Sequence, residues 1–305
     1  MGFTPLDFAQ IQEHGILLQN IQNQLDFFKN GIAKTFLVEP ATVSNGILKL
    51  SENDFQQKAD FFDANKSNFK LVKFVPASGA ASRMFKFLSE FLNDFDVENE
   101  SINAYVNRKK DNELLIFIVG LEKFPFFKKV DAKLKEIFSD FDNLESDYKN
   151  FNFIKMLLSK EHFDFANKPK AILPFHKYST HVASPIEEHL YECAHYSSSD
   201  GTAHLQFTVS EAHQSQFERV VNSVKSRVEK ETGIMITTSY SYQNKATDTI
   251  AVDLANNPFR DKNGQLVFRP GGHGALIENL NNLDADIVFI KNIFNEINQY
   301  KIPFS

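Results

Sequence analysis

Three short segments carry residue types that can hold a phosphate. The first is Pro76-Ala77-Ser78-Gly79-Ala80-Ala81-Ser82-Arg83-Met84. It lies between an apolar run at 71–75 that reads as a strand and a helical stripe of Met84, Phe87, Leu88, Phe91, Leu92 and Phe95. Small residues ahead of a helix N-terminus let backbone N–H groups approach an anion, which the helix dipole also favours. Arg83, at the helix start, can add a charge-assisted bond. No Gly-Lys-Ser/Thr follows, so this is not a Walker loop, and Gly79 alone does not make G-x-G-x-x-G. The pattern fits a phosphate cradle and a tight strand–helix connection equally well. The second segment is Asn167-Lys168-Pro169-Lys170-Ala171-Ile172-Leu173-Pro174-Phe175, where lysines precede an apolar run read as a short strand or strand end. Such lysines either reach a phosphate at the strand end or stay solvated. The third is Phe268-Arg269-Pro270-Gly271-Gly272-His273-Gly274. Its glycines permit positive φ and close backbone approach to a base or a sugar. A histidine held between glycines favours a ligand role over a plain turn.

A fourth group invites a different chemistry. His176, His181, His189 and His195 fall close together, with Glu187, Glu188 and Glu192 among them. Imidazole and carboxylate suit zinc, as in a metal-dependent hydrolase. There is no His-Glu-x-x-His, however, and six residues put His189 and His195 about 240° apart on a helix. Exposed or capping histidines are expected instead.

The elements that must position these segments alternate. Residues 1–65 read as an N-terminal helical cap, with Ile11, Ile16, Leu17, Ile21 and Leu25 on one face. Residues 97–112 are polar and loop-like, and 113–165 carry helices rich in Phe and Lys, so about 97–165 reads as an insertion. Ser184-Pro185-Ile186-Glu187 predicts a capped helix start with a capping box. A strand at 204–209 follows, then a helix capped by Ser210, carrying Phe217, Val220, Val221, Val224 and Val228, and ended by Gly233. Strands at 234–242, 266–268 and 285–291 and a short helix at 275–283 complete the chain. Strand–helix alternation predicts a three-layer α/β sandwich with a mostly parallel sheet. The domains expected are 1–65 and 66–305.

Composition narrows the class further. The 305 residues are 42% hydrophobic and 24% charged, with 32 Phe, no Trp and a net charge of −6. That charge argues against nucleic acid as a partner, since such binding rests on phosphate contacts by Lys and Arg. No apolar run nears the roughly 20 residues of a membrane helix. The start, Met1-Gly2-Phe3-Thr4-Pro5-Leu6, is not a signal peptide. With Cys193 as the one cysteine, a cytoplasmic protein is expected.

The order of the segments carries a resemblance. A small-residue loop ending in Arg-Met, then Pro-Lys-Ala-Ile-Leu-Pro-Phe, then Ser-Pro-Ile-Glu-Glu-His, is similar to sugar-phosphate nucleotidyltransferases. Residues 270–274 followed by Val288-Phe289-Ile290-Lys291-Asn292 resemble UDP-sugar pyrophosphorylases. Closer still is an uncharacterised bacterial family, a domain of unknown function, with these elements in this order. The resemblance implies a GT-A-like, Rossmann-related fold. It implies attack of a sugar 1-phosphate on the α-phosphorus of a nucleoside triphosphate, usually with Mg²⁺. By analogy Ala77, Ser78, Gly79, Ala80, Ala81, Ser82 and Arg83 hold the triphosphate and Lys170 neutralises charge near the α-phosphate. Gly271, Gly272, His273 and Gly274 line the base or sugar site, with Gln243 and Asp248 as further candidates. Two departures stand out. Phe294 occupies the position of the Asp that holds the metal, and the chain stops at Ser305, where such enzymes continue. Three functions are therefore carried forward: a nucleotidyltransferase, a nucleotide binder without turnover, and a GT-A-like glycosyltransferase.

Overall fold

The computed structural model describes residues 3–294. Helices α1 (Pro5–Glu13) and α2 (Leu18–Asn30) precede the short strands β1 (Thr42–Val43) and β2 (Gly46–Ile47). Helix α3 (Glu52–Asn65) leads to β3 (Leu71–Pro76). Then come α4 (Lys86–Asp94), α5 (Ile102–Lys109), α6 (Asn112–Val119), α7 (Phe127–Ile137) and α8 (Ser146–Leu158). The hairpin of β4 (His176–Lys177) and β5 (Val182–Ala183) opens onto α9 (Pro185–Tyr196). The remaining elements are β6 (Ser198–Ser199), β7 (Thr202–Val209), α10 (Gln214–Thr232), β8 (Met235–Tyr242), β9 (Thr249–Ile250), β10 (Phe268–Arg269), α11 (Ile277–Asn281) and β11 (Ile287–Ile290). None of the described helices is long and apolar enough to cross a membrane. Two compact units emerge: Met1–Val72 with Ser241–Val288, and Lys73–Tyr240 with Phe289–Ser305. The expected N-terminal cap, residues 1–65, falls in the first of these; the expected insertion falls in the second.

The second unit is built on a mixed, mostly parallel sheet in the order β11-β3-β7-β6, with β8 also pairing β7. Strand β3 runs parallel to β7, Lys73 facing Leu205 and Pro76 facing Thr208. The chain goes from β7 through α10 to β8, the crossover that a parallel pair requires. Phe217, Val221 and Val228 of α10 are buried in the same core as Phe207 and Leu205 of β7. Gly233 ends α10 at φ 70°, a left-handed C-cap that favours glycine. A separate helical core joins α4 to α8 and accounts for much of the phenylalanine. Phe91 stacks on Phe95 at 4.6 Å and meets Tyr105 edge-on at 5.2 Å.

Several local readings need correction here. Residues 97–112 are not all loop: α5 forms there, its N-terminus capped by the Ser101 side chain, which accepts from Ala104 N–H. Its buried residues, Ile102, Tyr105 and Val106, are too few to stand out in a polar sequence. Residues 170–175 form no strand. Pro169 and Pro174 flank a 3₁₀ turn, Lys170–Ile172, that buries Ala171. The capping box at Ser184 does not form, because Glu187 turns to other partners, although Pro185 does open α9. Ser210 instead bonds His213 at 2.7 Å across a 3₁₀ turn, and α10 starts at Gln214.

In the first unit Thr4 and Asp7 make a reciprocal capping box at α1. The Asp7 carboxylate also takes both terminal nitrogens of Arg260, at 2.6 and 2.8 Å. The Arg260 guanidinium beside it holds the Asp7 carboxyl well below the usual range, against the opposing effect of burial. Ile11, Ile16 and Ile21 share a core with Ile250 and Leu266. Leu17, expected on the same face, is exposed, because the helix breaks at Gly15 (φ 77°) before α2 begins. Leu205, fully buried at the centre of β7, tests the sheet core. Leu205→Ala is expected to cost about 2–5 kcal/mol, read as a lowered urea midpoint with an unchanged slope.

Candidate anion-binding site

Strand β3 ends at Pro76 and α4 starts at Lys86, so Arg83 lies in the intervening turns rather than at the helix start. Two residues anchor the loop between. Ala77 N–H donates to Thr208 O at 2.8 Å and Ala81 N–H to Lys168 O at 3.0 Å; both alanines are buried. In return Lys170 N–H donates to Gly79 O at 3.1 Å, and Ala80 lies opposite Pro169. The first two predicted segments are thus brought together by backbone pairing. Among the described residues, the N–H groups of Ser78, Gly79, Ala80, Ser82 and Arg83 meet no acceptor. Gly79 is exposed, its φ is not positive, and a Cβ added there meets nothing within 4 Å. Neither strain nor internal packing requires glycine at this position, which leaves the loop face open to an approaching group.

The cations around this loop have unusual neighbours. The Lys170 ammonium stands 4.9 Å from the ring centroid of Phe294 and forms no ion pair among the described residues. The Phe294 ring meets that of Phe175 at 5.7 Å. Lys168 donates to Phe163 O at 2.7 Å, and burial pushes its pKa down. Asp164 opposes that shift, while Lys129 and Arg219 add to it as like charges. Mg²⁺ takes oxygen ligands, and two phenyl rings and an ammonium supply none. Nor do the described residues include a group of three or more His, Cys, Asp or Glu placed to hold a metal.

The third segment lies in the first unit. Gly271 has a packing reason: an added Cβ would come within 2.9 Å of Thr247 O and 3.0 Å of Ala275 Cβ. The positive φ that glycine permits is not used at Gly271, Gly272 or Gly274. Open space faces Gly272 and Gly274, and His273 between them is exposed. Gln243 Nε2 donates to Thr247 Oγ1 at 3.2 Å and to Asp248 Oδ1 at 3.4 Å. The other Asp248 oxygen is 2.9 Å from His14 Nε2, whose ring stacks on Phe268 at 4.4 Å. Gln243, Asp248 and Gly271 therefore share one neighbourhood, with the carboxylate already committed to His14.

Sequence reasoning missed the buried charges of the second unit. Lys73, in the middle of β3, is fully buried and donates to Glu192 Oε2 at 2.6 Å and to His189 O at 3.2 Å. Lys291 pairs with the other Glu192 oxygen, and Tyr196 donates to Glu192 at 3.2 Å. Burial pulls the Lys73 pKa down to about 8, with Glu192 opposing. His189 is fully buried and donates from Nε2 to Ile293 O at 3.3 Å. Burial first, then the Lys73 charge, pushes its pKa down to about 3, so the ring is neutral. Cys193 is also buried, which raises its thiol to about 11. Nearby, His181 bonds Glu187 at 2.7 Å and Arg227 takes the other Glu187 oxygen at 2.8 Å. His189 is therefore a buried, bonded group and His181 a half-buried, bonded one, neither of them exposed or capping, while His195 is exposed as expected. The available signal was a lysine inside the apolar run Leu71-Val72-Lys73-Phe74-Val75.

Fold and site together define a mixed α/β protein with an open loop at the carboxyl end of a sheet strand. The chain belongs to the DUF4301 family, a domain of unknown function, which matches residues 4–302. No curated protein and no solved structure matches it.

The neutral His189 sets a pH dependence. The unfolded chain gains a proton there near pH 6.5, which the folded state accepts only near 3. Its contribution is complete above 6.5 and is lost as pH falls through that window, by up to about 1.4 kcal/mol per pH unit. His189→Gln is expected to flatten that part of the stability curve relative to the parent, measured by urea unfolding at a series of pH values.

Proposed function

We propose that the protein binds the phosphate chain of a nucleoside triphosphate on residues 77–83, with Lys170 neutralising the bound charge. The reaction is transfer of the nucleotidyl group to a sugar 1-phosphate. The observation that carries this reading is the backbone pairing of Lys170 with Gly79, which joins a lysine with no carboxylate partner among the described residues to a loop with open amides. The loop lies at the carboxyl end of β3, inside a largely parallel sheet. Open α/β sheets take ligands at that end of their strands. A GT-A-like, Rossmann-related fold is the finer reading that this topology supports.

The transfer needs little covalent participation by the protein. An oxygen of the sugar phosphate attacks the α-phosphorus, a new P–O bond forms, and the bond to the β-phosphate breaks with release of pyrophosphate. Amides of the loop, Arg83 and Lys170 serve by fixing the chain in line and by meeting charge on the phosphoryl oxygens. A second reading, binding without turnover, is favoured by Phe294, which stands where the resemblance calls for a metal-binding Asp.

The test combines calorimetric binding of the four ribonucleoside triphosphates with pyrophosphate release in the presence of several sugar 1-phosphates. Saturable binding with release supports the transferase, and binding without release supports the second reading. Arg83→Ala and Lys170→Ala are each expected to weaken binding about ten- to hundredfold, as for loss of a charge-assisted bond. Absence of binding to any triphosphate would sink both readings.

A further inference from the structure

We infer that the loop site neutralises its anion with a fixed protein cation, Lys170 seated on the ring of Phe294, and binds polyphosphate without a divalent cation. The inference rests on the phosphate-binding reading above and concerns how that site handles charge.

Both partners of the Lys170–Phe294 contact are held by their backbones. Lys170 N–H is bonded to Gly79 O, and the turn that carries it buries Ala171. The segment leading to Phe294 is pinned at two points: Lys291 pairs with the buried Glu192, and Ile293 O accepts from His189 Nε2. Ile293 itself packs against the sheet core. The ring of Phe294, braced by Phe175, therefore presents its face to an ammonium 4.9 Å away. A cation over an aromatic face keeps its charge and is attracted by the ring quadrupole. A carboxylate at 294 would instead quench it.

The same arrangement repels a dication. Mg²⁺ placed here would meet a like charge at Lys170 and find no oxygen on Phe175 or Phe294. Lys168, joined to the loop by its carbonyl's bond from Ala81 N–H, adds a second lysine to the same segment. In a site that supplies its own positive charge, complexation of a polyphosphate by Mg²⁺ removes negative charge from the ligand. Added Mg²⁺ must then weaken binding, the opposite of its effect where the metal bridges protein and phosphate. Phe294 is thus a positioning residue, acting on the anion through Lys170.

The experiment titrates the full chain calorimetrically with sodium tripolyphosphate and with each of the four ribonucleoside triphosphates, once in EDTA and once in excess Mg²⁺. Saturable binding in EDTA, severalfold weaker with Mg²⁺, is expected. Phe294→Leu is expected to weaken binding in EDTA about two- to fivefold, the scale of a partly exposed cation–π contact, and Phe294→Tyr to retain it. Phe294→Asp is expected to lose binding in EDTA and recover it with Mg²⁺. Binding by the parent protein only with Mg²⁺ overturns this inference and leaves the proposed function standing. Undiminished binding by a folded Phe294→Leu protein overturns it as well. If that variant does not fold, the sign of the Mg²⁺ effect on the parent protein decides alone. No binding under either condition overturns both readings.

Discussion

A single carboxylate holds the interior of the sheet unit together. Glu192 offers one oxygen to Lys73 and the other to Lys291, and Tyr196 shares the first. Ions withdrawn from water cost several kcal/mol each, offset only where geometry and added hydrogen bonds are good. Among the described residues two ammonium groups share this carboxylate, and His189 O and the hydroxyl of Tyr196 add hydrogen bonds to the network. The position of this knot matters for the loop site. Lys73 stands three residues before Pro76, where the loop starts, and Lys291 stands three residues before Phe294. The backbones that carry the open amides and the aromatic ring both leave from residues clamped on Glu192.

This explains why α9 is so unusual. Glu187, Glu188, His189 and Glu192 are all buried on a helix whose sequence reads as polar. Each acid has a partner from elsewhere: His181 and Arg227 for Glu187, Tyr178 for Glu188, and the lysines for Glu192. A run of acids and histidines that invited a metal-site reading is a set of interior cross-links. The chemistry of such residues depends on what lies opposite, and their spacing along one helix does not disclose it.

Legibility followed the same line. Strands β3, β7 and β8 and helix α10 were readable because apolar runs and helical stripes are local signals, and Gly233 marked the stop. Helix α5 was hidden, since its buried face needs only Ile102, Tyr105 and Val106 to be apolar. Residues 170–175 looked like a strand on hydrophobicity alone, but prolines at 169 and 174 remove ladder donors and favour a turn. For residues 77–83 and Lys170, which the resemblance groups together, the backbones of Gly79 and Lys170 do pair. Sequence order gave no warning that Gly271 is required by Thr247 O. It also gave no sign that Phe294 would carry a lysine on its face.

The strand order has a consequence for how the chain assembles during synthesis. Strand β3 lies between β11 and β7, whose residues follow it by well over a hundred positions. Contacts so distant in sequence are slow to form, and an apolar strand waiting for its neighbours is exposed to wrong pairing. Lys73 sits in the middle of that strand, and its counter-charge is 119 positions away. Until Glu192 has been made, an unpaired ammonium keeps the strand in water and opposes premature stacking, as inward-pointing charges do on exposed sheet edges. With α9 in place, the same lysine is matched by Glu192 and joins β3 to that helix in the interior.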